Sequence, residues 1–274
     1  MKKSFLFICL SAAALVACNN NSSKNGHAAN NSDSTKAAAK NVIATKGGVS
    51  LSYFIQSPDF ADASLTLVEP HSVKDCLIPG NILFKYDVKN FKLSDQTNGA
   101  ATCDCNNSNK GQHIHQIINN QPYVARYKDT FYSDLKPGNY VHLAFLSRSY
   151  HESVKNKNAY SLVQFKVGET KEPSADLTGP LMFYSRPKGE YKGKDTANVL
   201  LDFYLVNTDL SPDGNKVKAT INGNEFILTK WTGYGLSGLK MGENTIKLEL
   251  VDKDGKLIQG PYNSVERKIK LSAQ

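Results

Sequence analysis

Histidines at short spacing are the residues of this sequence best suited to chemistry. His113 and His115 stand two residues apart, and His151 follows within the run SRSYHES at 147–153. Side chains two residues apart share one face of a β-strand, so His113 and His115 point the same way if this segment is a strand. Such a pair can share a metal ion, with copper and zinc the natural candidates for imidazole ligands. Protonated imidazoles can instead hold an anion.

The same run offers an arginine and a glutamate beside the third histidine. A guanidinium makes two parallel hydrogen bonds to a carboxylate or phosphate, so Arg148 and protonated imidazoles would bind an anionic or phosphorylated ligand. The predicted ligand site comprises His113, His115, Arg148, His151 and Glu152. The alternative is a Cu or Zn site at His113, His115 and His151. The two differ in pH dependence, because a metal requires neutral imidazole and an anion prefers imidazolium.

The signature motifs of several enzyme classes are absent. The sequence contains no G-x-S-x-G elbow, no Walker loop and no H-E-x-x-H motif. We therefore expect a non-enzymatic binding protein whose only candidate cofactor is the Cu or Zn ion. A purely structural scaffold of the cell envelope is the third hypothesis.

Short segments rich in β-branched and aromatic residues must position these side chains. They alternate with turn residues, and no stretch keeps a helical period over three turns. The strands predicted in the first half are 63–68, 81–88, 113–118, 122–127, 139–146 and 161–167. Those predicted in the second half are 181–185, 198–206, 216–221, 225–231, 244–251 and 265–271. Many short strands at this spacing predict an all-β fold of immunoglobulin-like β-sandwiches.

The two halves of the chain repeat one another in three ordered blocks. The matched pairs are 82–90 with 199–207, 118–123 with 221–226, and 135–139 with 239–243. We therefore predict two related immunoglobulin-like β-sandwich domains in tandem, at 47–168 and 176–274, joined by a linker at 169–175. Residues shared by both copies are expected to serve the fold, and residues found in one copy only are candidates for function.

Alignment of the copies assigns each histidine to a strand face. The counterparts of His113 and His115 are Lys216 and Lys218. In that strand the lysines alternate with apolar residues, so the alignment predicts a solvent-facing side for His113 and His115. His142 instead aligns with Ile246 on an apolar face, which predicts a partly buried, hydrogen-bonded histidine.

Copy one also carries two segments that copy two replaces with short turns. They are an insert at 95–112 and a loop at 147–153, which we call the crown. In an immunoglobulin-like sandwich the strands 113–118 and 139–146 would pair antiparallel, which brings both segments to the same end. The crown is therefore the expected binding surface.

Cysteine usage leaves several pairings open. Besides Cys18, an exported chain would retain Cys76, Cys103 and Cys105. Cys103 and Cys105 closing on each other would form a small, strained ring. Cys76 could instead bridge to either of them, or the thiols could stay free or pair between molecules. A metal site that combines Cys-x-Cys with His-x-His is also open.

The N-terminus predicts export and lipidation. A basic start precedes an apolar run at 4–17, which is too short to span a bilayer and is typical of a signal peptide. The run ends in LVAC and looks like a lipobox, so we expect cleavage after residue 17 and a lipid on Cys18. Residues 18–46 are small and polar and predict a disordered tether. Asn19 after the lipidated cysteine favours an outer-membrane lipoprotein, and the lack of a following acidic cluster favours one that faces the periplasm.

Composition and charge narrow the classes of partner. The chain of 274 residues has 33 Lys and Arg against 25 Asp and Glu, a net charge of +8. This is ordinary globular composition, which excludes a collagen, a polytopic membrane protein and a wholly disordered chain. The basic residues form no run, so the charge suits anionic envelope or phosphate partners and does not predict nucleic-acid binding. The expected partners are the outer membrane, through the lipid on Cys18, and an anionic or phosphorylated ligand.

Four runs of the sequence are distinctive when taken together. They are GQHIHQIINNQPY at 111–123, LKPG at 135–138, AFLSRSYHESVK at 144–155 and SRPKGEY at 185–191. These runs resemble a group of envelope lipoproteins from Bacteroidota, whose first domain is a small β domain of unknown function with G-x-H-x-H and S-R-x-x-H-E-S motifs. The resemblance covers nearly the whole chain after residue 46. Members are often labelled phosphopeptide-binding proteins, which implies a phosphorylated ligand at the predicted site residues. The Cys-x-Cys insert and His142 have no place in that pattern.

Overall fold

The computed structural model describes residues 42–71 and 76–273, and the regular secondary structure of this part of the chain is almost entirely β-strand. The expected signal peptide, the lipidated Cys18 and the tether as far as residue 41 lie outside the described residues. No helix in the described ranges is both long enough and apolar enough to cross a membrane.

The strands follow one another along the chain with short connections. The first nine are β1 (Val42–Lys46), β2 (Val49–Tyr53), β3 (Ser64–Glu69), β4 (Gly80–Lys89), β5 (His113–Ile118), β6 (Val124–Arg126), β7 (Thr130–Leu135), β8 (Gly138–Ser147) and β9 (Tyr160–Val167). The others are β10 (Leu181–Arg186), β11 (Gly189–Lys192), β12 (Val199–Val206), β13 (Lys216–Ile221), β14 (Asn224–Leu228), β15 (Tyr234–Ser237), β16 (Gly242–Val251) and β17 (Ser264–Ser272). Every segment predicted as a strand is one, most of them with shifted ends, whereas β1, β2, β7, β11 and β15 were not predicted.

The first sandwich consists of two antiparallel sheets. A three-stranded sheet in the order β3-β4-β7 faces a four-stranded sheet in the order β6-β5-β8-β9. This arrangement of three strands against four is that of an immunoglobulin-like sandwich. Its core lies between the sheets and contains Leu65, Phe84, Ile114, Leu146 and Phe165. Along β5 and β8 every second residue enters this core, as the two-residue repeat of a strand requires.

The second sandwich repeats the same strand order. Strands β10, β12 and β15 occupy the places of β3, β4 and β7, and β14-β13-β16-β17 occupy those of β6-β5-β8-β9. The fold is therefore two related immunoglobulin-like β-sandwiches in tandem, as predicted. The second copy is larger, because β2 and β1 extend one sheet beyond β15 and β11 pairs in parallel with β17.

One asparagine turn is reproduced in both copies down to its hydrogen bonds. Asn119 donates its backbone N–H to the carbonyl of Val141 and accepts from the Val141 N–H through its side-chain oxygen, at 2.9 and 2.8 Å. Asn222 makes the same two bonds with Thr245, both at 2.9 Å. Each asparagine has a positive φ, 48° and 49°, a conformation that asparagine tolerates better than most residues. The shared blocks therefore serve the fold, as the comparison of the copies predicted.

The predicted start of the first domain at residue 47 is wrong. Strand β2 pairs with β15 of the second sandwich, where Leu51 lies opposite Leu236. Val49 and Leu51 are buried in the core of that sandwich. The predicted tether is also too long at its C-terminal end, because residues 42–46 form β1. The alternation of Val49, Leu51 and Tyr53 with serines is a strand pattern, but five residues carry no information about which sheet they join.

The two sandwiches pack face to face through their inner sheets. Phe145 of β8 stacks on Tyr204 of β12 with ring centroids 4.6 Å apart. Ile117 and Leu143 from the first copy and Phe183 from the second lie in the same buried cluster. The outward face of β5 and β8 is therefore covered by the second sandwich, and this contact determines the surroundings of the histidines.

Candidate functional site

Strand β5 places His113 and His115 on its outward face, together with Ile117. Both histidines have 0% of their surface exposed, so the predicted solvent-facing position is wrong. They do point away from the core of their own sandwich, as the alignment with lysines required, but the second sandwich covers that face. Ser185 of β10 approaches from that side, with its hydroxyl 3.2 Å from His115 Nδ1.

The third histidine reaches the same place from the loop after β8. His113 pairs with Ser147 across β5 and β8, so the loop begins directly beside the histidines. Within it His151 has a φ of 71° and donates its backbone N–H to the carbonyl of Arg148 at 2.9 Å. This tight turn folds the loop back and buries the His151 side chain against β5.

The three imidazoles form one compact group, which we call the histidine cluster: His113, His115 and His151. His113 Nε2 lies 3.0 Å from His115 Nε2 and 3.1 Å from His151 Nδ1. One ring nitrogen from each residue lies within 4.8 Å of the other two. Three nitrogens at this mutual spacing can coordinate one metal ion.

The backbone fixes the tautomer of the central imidazole. His113 Nδ1 lies 2.8 Å from the carbonyl oxygen of Gly111, and a carbonyl only accepts, so Nδ1 carries the proton. Nε2 of His113 is then a lone-pair donor aimed at the other two rings. Metal-binding histidines are characteristically oriented in this way, with the second ring nitrogen donating to a backbone carbonyl.

Burial keeps all three imidazoles uncharged. It lowers the pKa of His113 to about 4, although the hydrogen bond to Gly111 acts in the opposite direction. Burial also holds the pKa values of His115 and His151 well below the ordinary value, and the charge of Arg186 lowers both further. The cluster therefore offers neutral nitrogen lone pairs near pH 7, the state that a metal ion requires.

Two tyrosines enclose the cluster. The ring of Tyr123 stacks on His115 with centroids 3.5 Å apart, and its hydroxyl lies 3.2 Å from His151 Nδ1. Tyr127 packs against His113 with centroids 5.0 Å apart. The two tyrosines flank β6 in the chain, so the hairpin after β5 provides one wall of the site.

The second sandwich contributes two cations that the sequence analysis did not select. Arg186 ends β10 at a register irregularity between residues 184 and 186, and such a bulge re-aims a side chain from the regular alternation. Arg186 is 6% exposed, and its guanidinium lies 5.3 Å from the centroid of the Tyr123 ring. Lys188 Nζ donates to the carbonyl of Tyr123 at 2.8 Å. Both cations lie in the run SRPKGEY, which the sequence marks as distinctive. Nothing in that run indicated that the second copy faces the histidines.

Arg148 and Glu152 form a separate group within the loop. The Arg148 guanidinium donates to the backbone carbonyls of Pro58 and Ser153 and lies 3.6 Å from Glu152 Oε2. Glu152 also accepts a short hydrogen bond from the hydroxyl of Ser57. These partners occupy both side chains, which hold the loop against the segment after β2; we call this group the loop clamp. The predicted site residues are thus divided between the cluster and the loop clamp.

The two segments of the crown meet, as predicted from their position at one end of the sandwich. The Ser108 N–H donates to the carbonyl of Ser149 at 2.8 Å, and the Ser149 N–H donates to Thr97 Oγ1 at 2.9 Å. Within the insert, Cys103 and Cys105 are joined by a disulfide, with Cα atoms 5.1 Å apart, a separation ordinary for a disulfide. Cys76 is free and exposed, so a bridge to Cys76 and a metal site at Cys-x-Cys are both excluded by this pairing.

His142 lies on the opposite face of the same sheet and does not join the cluster. It is fully buried and stacks on Phe84 with centroids 4.3 Å apart. Its Nε2 lies 2.9 Å from Gln116 Nε2, which donates to it. The predicted hydrogen bond and apolar strand face of His142 are confirmed, and its burial is complete where partial burial was predicted.

Comparison with known proteins shows no family. No family model and no characterised protein matches the chain. Among solved structures it is similar to fibronectin(III)-like modules of Clostridium thermocellum CbhA, at 12% identity over 76% of this chain and 94% of that one, with a TM-score of 0.27. It is also similar to SGBP-B of the Bacteroides ovatus mixed-linkage glucan utilization locus in complex with a mixed-linkage heptasaccharide, at 9% identity over 77% and 70%, with a TM-score of 0.24. At these TM-scores the similarities carry no argument about ligand or function.

Proposed function

We propose that this protein binds a transition-metal ion, copper or zinc, through His113, His115 and His151. The observation that carries the proposal is the convergence of three neutral imidazole nitrogens within 4.8 Å of one another in a buried site. Imidazole suits copper and zinc among the common metals of proteins. Three protein ligands leave one coordination position for an exogenous group.

The same geometry argues against the alternative of an anion held directly by the histidines. That role needs imidazolium groups, and burial disfavours the charged form of each ring. It also needs the Arg148 guanidinium, which is bonded to two backbone carbonyls of its own chain. A metal ion requires neither change.

We further propose that the site belongs to a non-enzymatic, lipid-anchored protein of the cell envelope. The apolar run at 4–17 and Cys18 in LVAC support export and lipidation. Asn19 supports retention at the outer membrane, with the body facing the periplasm. Radiolabelled palmitate incorporated by wild type and not by Cys18→Ala would test the anchor independently of the metal.

Elemental analysis and metal titration test the proposed ligand. The protein is purified without a His-tag, stripped with EDTA and titrated with Zn(II), and separately with Cu(I) under anaerobic conditions, against a chromophoric competitor. We expect one ion per chain for wild type. The double variant His113→Ala/His115→Ala should lose the ion while retaining its β-sheet circular dichroism.

His71→Ala is the matched control, because His71 is an exposed histidine that pairs with Glu69 and lies outside the cluster. It should bind metal as wild type does. Binding that survives loss of both His113 and His115, or is lost equally in the control, would reject the site.

A further inference from the structure

A buried arginine beside the histidine cluster lacks an anionic partner. Arg186 is 6% exposed, and no ion pair joins it to a carboxylate within residues 42–71 and 76–273. A buried guanidinium is ordinarily paired, because removing an unpaired charge from water is unfavourable. An amide connects it to a carboxylate: Asn106 accepts from Arg186 at 3.4 Å and donates to Asp195 at 2.6 Å.

One donor of this guanidinium is unused, although the hydroxyls of Tyr191 and Tyr123 both interact with the group. Nη1 donates to the hydroxyl of Tyr191 at 2.8 Å, and Nη2 makes the long bond to Asn106. Nε is buried and has no hydrogen-bond partner among the described residues. Buried arginine nitrogens without a partner are exceptions, and a bound water or ion is one explanation for them.

A second cation, Lys188, adds to the same imbalance. Its Nζ lies 4.2 Å from the centroid of the Tyr123 ring and donates to the carbonyl of that residue. Lys188 forms no ion pair in the part of the chain that the structure describes. On the side of the cluster where Tyr123 lies, Arg186 and Lys188 therefore present positive charge that no described carboxylate pairs with.

A metal ion bound at the cluster would meet this positive charge. The charge of Arg186 acts on all three imidazoles, so a cation held by them is repelled by it as well. A small anion between the two would be attracted by both, and a guanidinium recognises carboxylate and phosphate oxygens specifically. The three-histidine set has a coordination position left for such a ligand.

We propose that the histidine cluster takes its metal together with a small oxyanion, a carboxylate or phosphate group, that contacts both the metal ion and the guanidinium of Arg186. This inference rests on the proposed metal function and adds its co-ligand. Metal and anion then bind with positive coupling, and the coupling is reciprocal: each strengthens the other by the same factor. Arg186 is the residue that specifies the anion.

The test measures Zn(II) affinity with and without an oxyanion. Stripped wild-type protein is titrated with zinc perchlorate at constant ionic strength in perchlorate, and again with acetate or with micromolar inorganic phosphate. We expect acetate or phosphate to tighten zinc binding by about tenfold, within the usual range of such couplings. The two arms decide between a carboxylate and a phosphate source. Co(II) in place of zinc should change its visible spectrum when the anion joins the coordination sphere.

The effect of Arg186→Gln on zinc affinity shows whether an anion is required. If the anion is required, Arg186→Gln abolishes the effect of acetate and phosphate on zinc affinity. If it is not required, Arg186→Gln only removes a repulsive charge, and zinc binds more tightly. Arg267→Gln is the matched control, since it removes a largely buried arginine of the same sandwich that bonds to backbone carbonyls; it should retain the anion effect.

The outcomes separate this inference from the metal function itself. Zinc affinity that is unchanged by either anion, in a protein whose His113→Ala/His115→Ala variant loses zinc, overturns the co-ligand and leaves the metal site intact. Zinc binding by Arg186→Gln that is tighter than that of wild type in the presence of acetate or phosphate also overturns it. Absence of zinc, cobalt and copper binding under all conditions overturns the proposed function.

Discussion

Several histidines of this protein are buried in the uncharged form. Burial lowers the pKa of His142 to about 3 and that of His113 to about 4. In the unfolded chain each histidine would have a pKa of about 6.5. Below that pH the unfolded state therefore binds protons that the folded state excludes, and folding becomes less favourable.

The pH dependence of stability in the metal-free protein should follow from these buried histidines. Their contribution to the free energy of unfolding should be constant above about pH 6.5 and should fall as pH drops from there toward 4. Each buried histidine contributes a slope of up to about 1.4 kcal/mol per pH unit. His142→Phe should reduce the slope of the free energy of unfolding against pH by the contribution of one histidine. The measurement is urea unfolding at several pH values.

Phe84→Leu is the control for that experiment, because it alters the packing around His142 without removing a titrating group. It should lower stability at every pH and leave the slope unchanged. A slope in His142→Phe equal to that of wild type would show that His142 is accessible to protons in the folded state.

Arg148 belongs to the loop clamp, which separates its effect on stability from its effect on binding. Arg148→Ala leaves Glu152 buried without its cation and the carbonyls of Pro58 and Ser153 without their donor. We expect a loss of about 3 kcal/mol in the free energy of unfolding, with the zinc stoichiometry of the folded protein unchanged. A variant of wild-type stability that no longer binds zinc would instead place Arg148 in the ligand site.

The sequence predicted the cluster better than its surroundings. The spacing of His113 and His115 predicted their shared face, and the position of His151 in the crown predicted that it lies nearby, because strand alternation and antiparallel pairing are local rules. The inward turn of His151, which has a φ of 71°, was not predicted. The burial of these residues was not predictable, since an alignment to the second copy reports on one sheet face and not on what covers it. Arg186 was missed because a bulge and a contact between the copies bring it to the site.

Among the elements, β2 has the clearest energetic consequence. Leu51 is 1% exposed and packs in the core of the second sandwich. Leu51→Ala should therefore lower the free energy of unfolding by about 2–5 kcal/mol, as measured by denaturant titration. Ser50→Ala, its partly exposed neighbour, should change stability little. An equally small effect of both substitutions would mean that β2 is dispensable.

The strands that were missed share physical reasons. β15 reads YGLS, in which a glycine and only four residues hide the alternation, and in β7 one of the buried positions is the polar Ser133. A Cβ at Gly235 would lie 2.3 Å from Asn198 Oδ1, so a larger residue in β15 would displace the Asn198 side chain. β1 and β2 lay in a stretch whose small, polar composition resembles the preceding tether. These strands were missed because they are short or contain residues that are unusual in strands.

On the scale of the whole molecule, the histidine cluster depends on the contact between the two sandwiches. Tyr204 stacks on Phe145 in that contact and touches Trp231 at a centroid distance of 5.1 Å, yet it is no member of the cluster. Tyr204→Leu should loosen the contact and weaken zinc binding severalfold. The measurement is the zinc dissociation constant of the folded variant by chromophore competition.

Phe226→Leu is the corresponding control, because Phe226 lies in the core of the second sandwich, away from the contact. It should lower stability and leave the dissociation constant unchanged. Equal weakening by both variants would attribute the effect to general destabilisation.

The complete burial of His113 and His115 also governs how quickly an ion could be exchanged. His113 and His115 have no exposed surface, so an ion could reach their ring nitrogens only if the side chains that cover them moved. Dissociation is then timed by these movements and not by the strength of the bonds to the ion alone. Such a protein would hold its ion for long residence times and release it in discrete events, a behaviour suited to retention more than to rapid sensing.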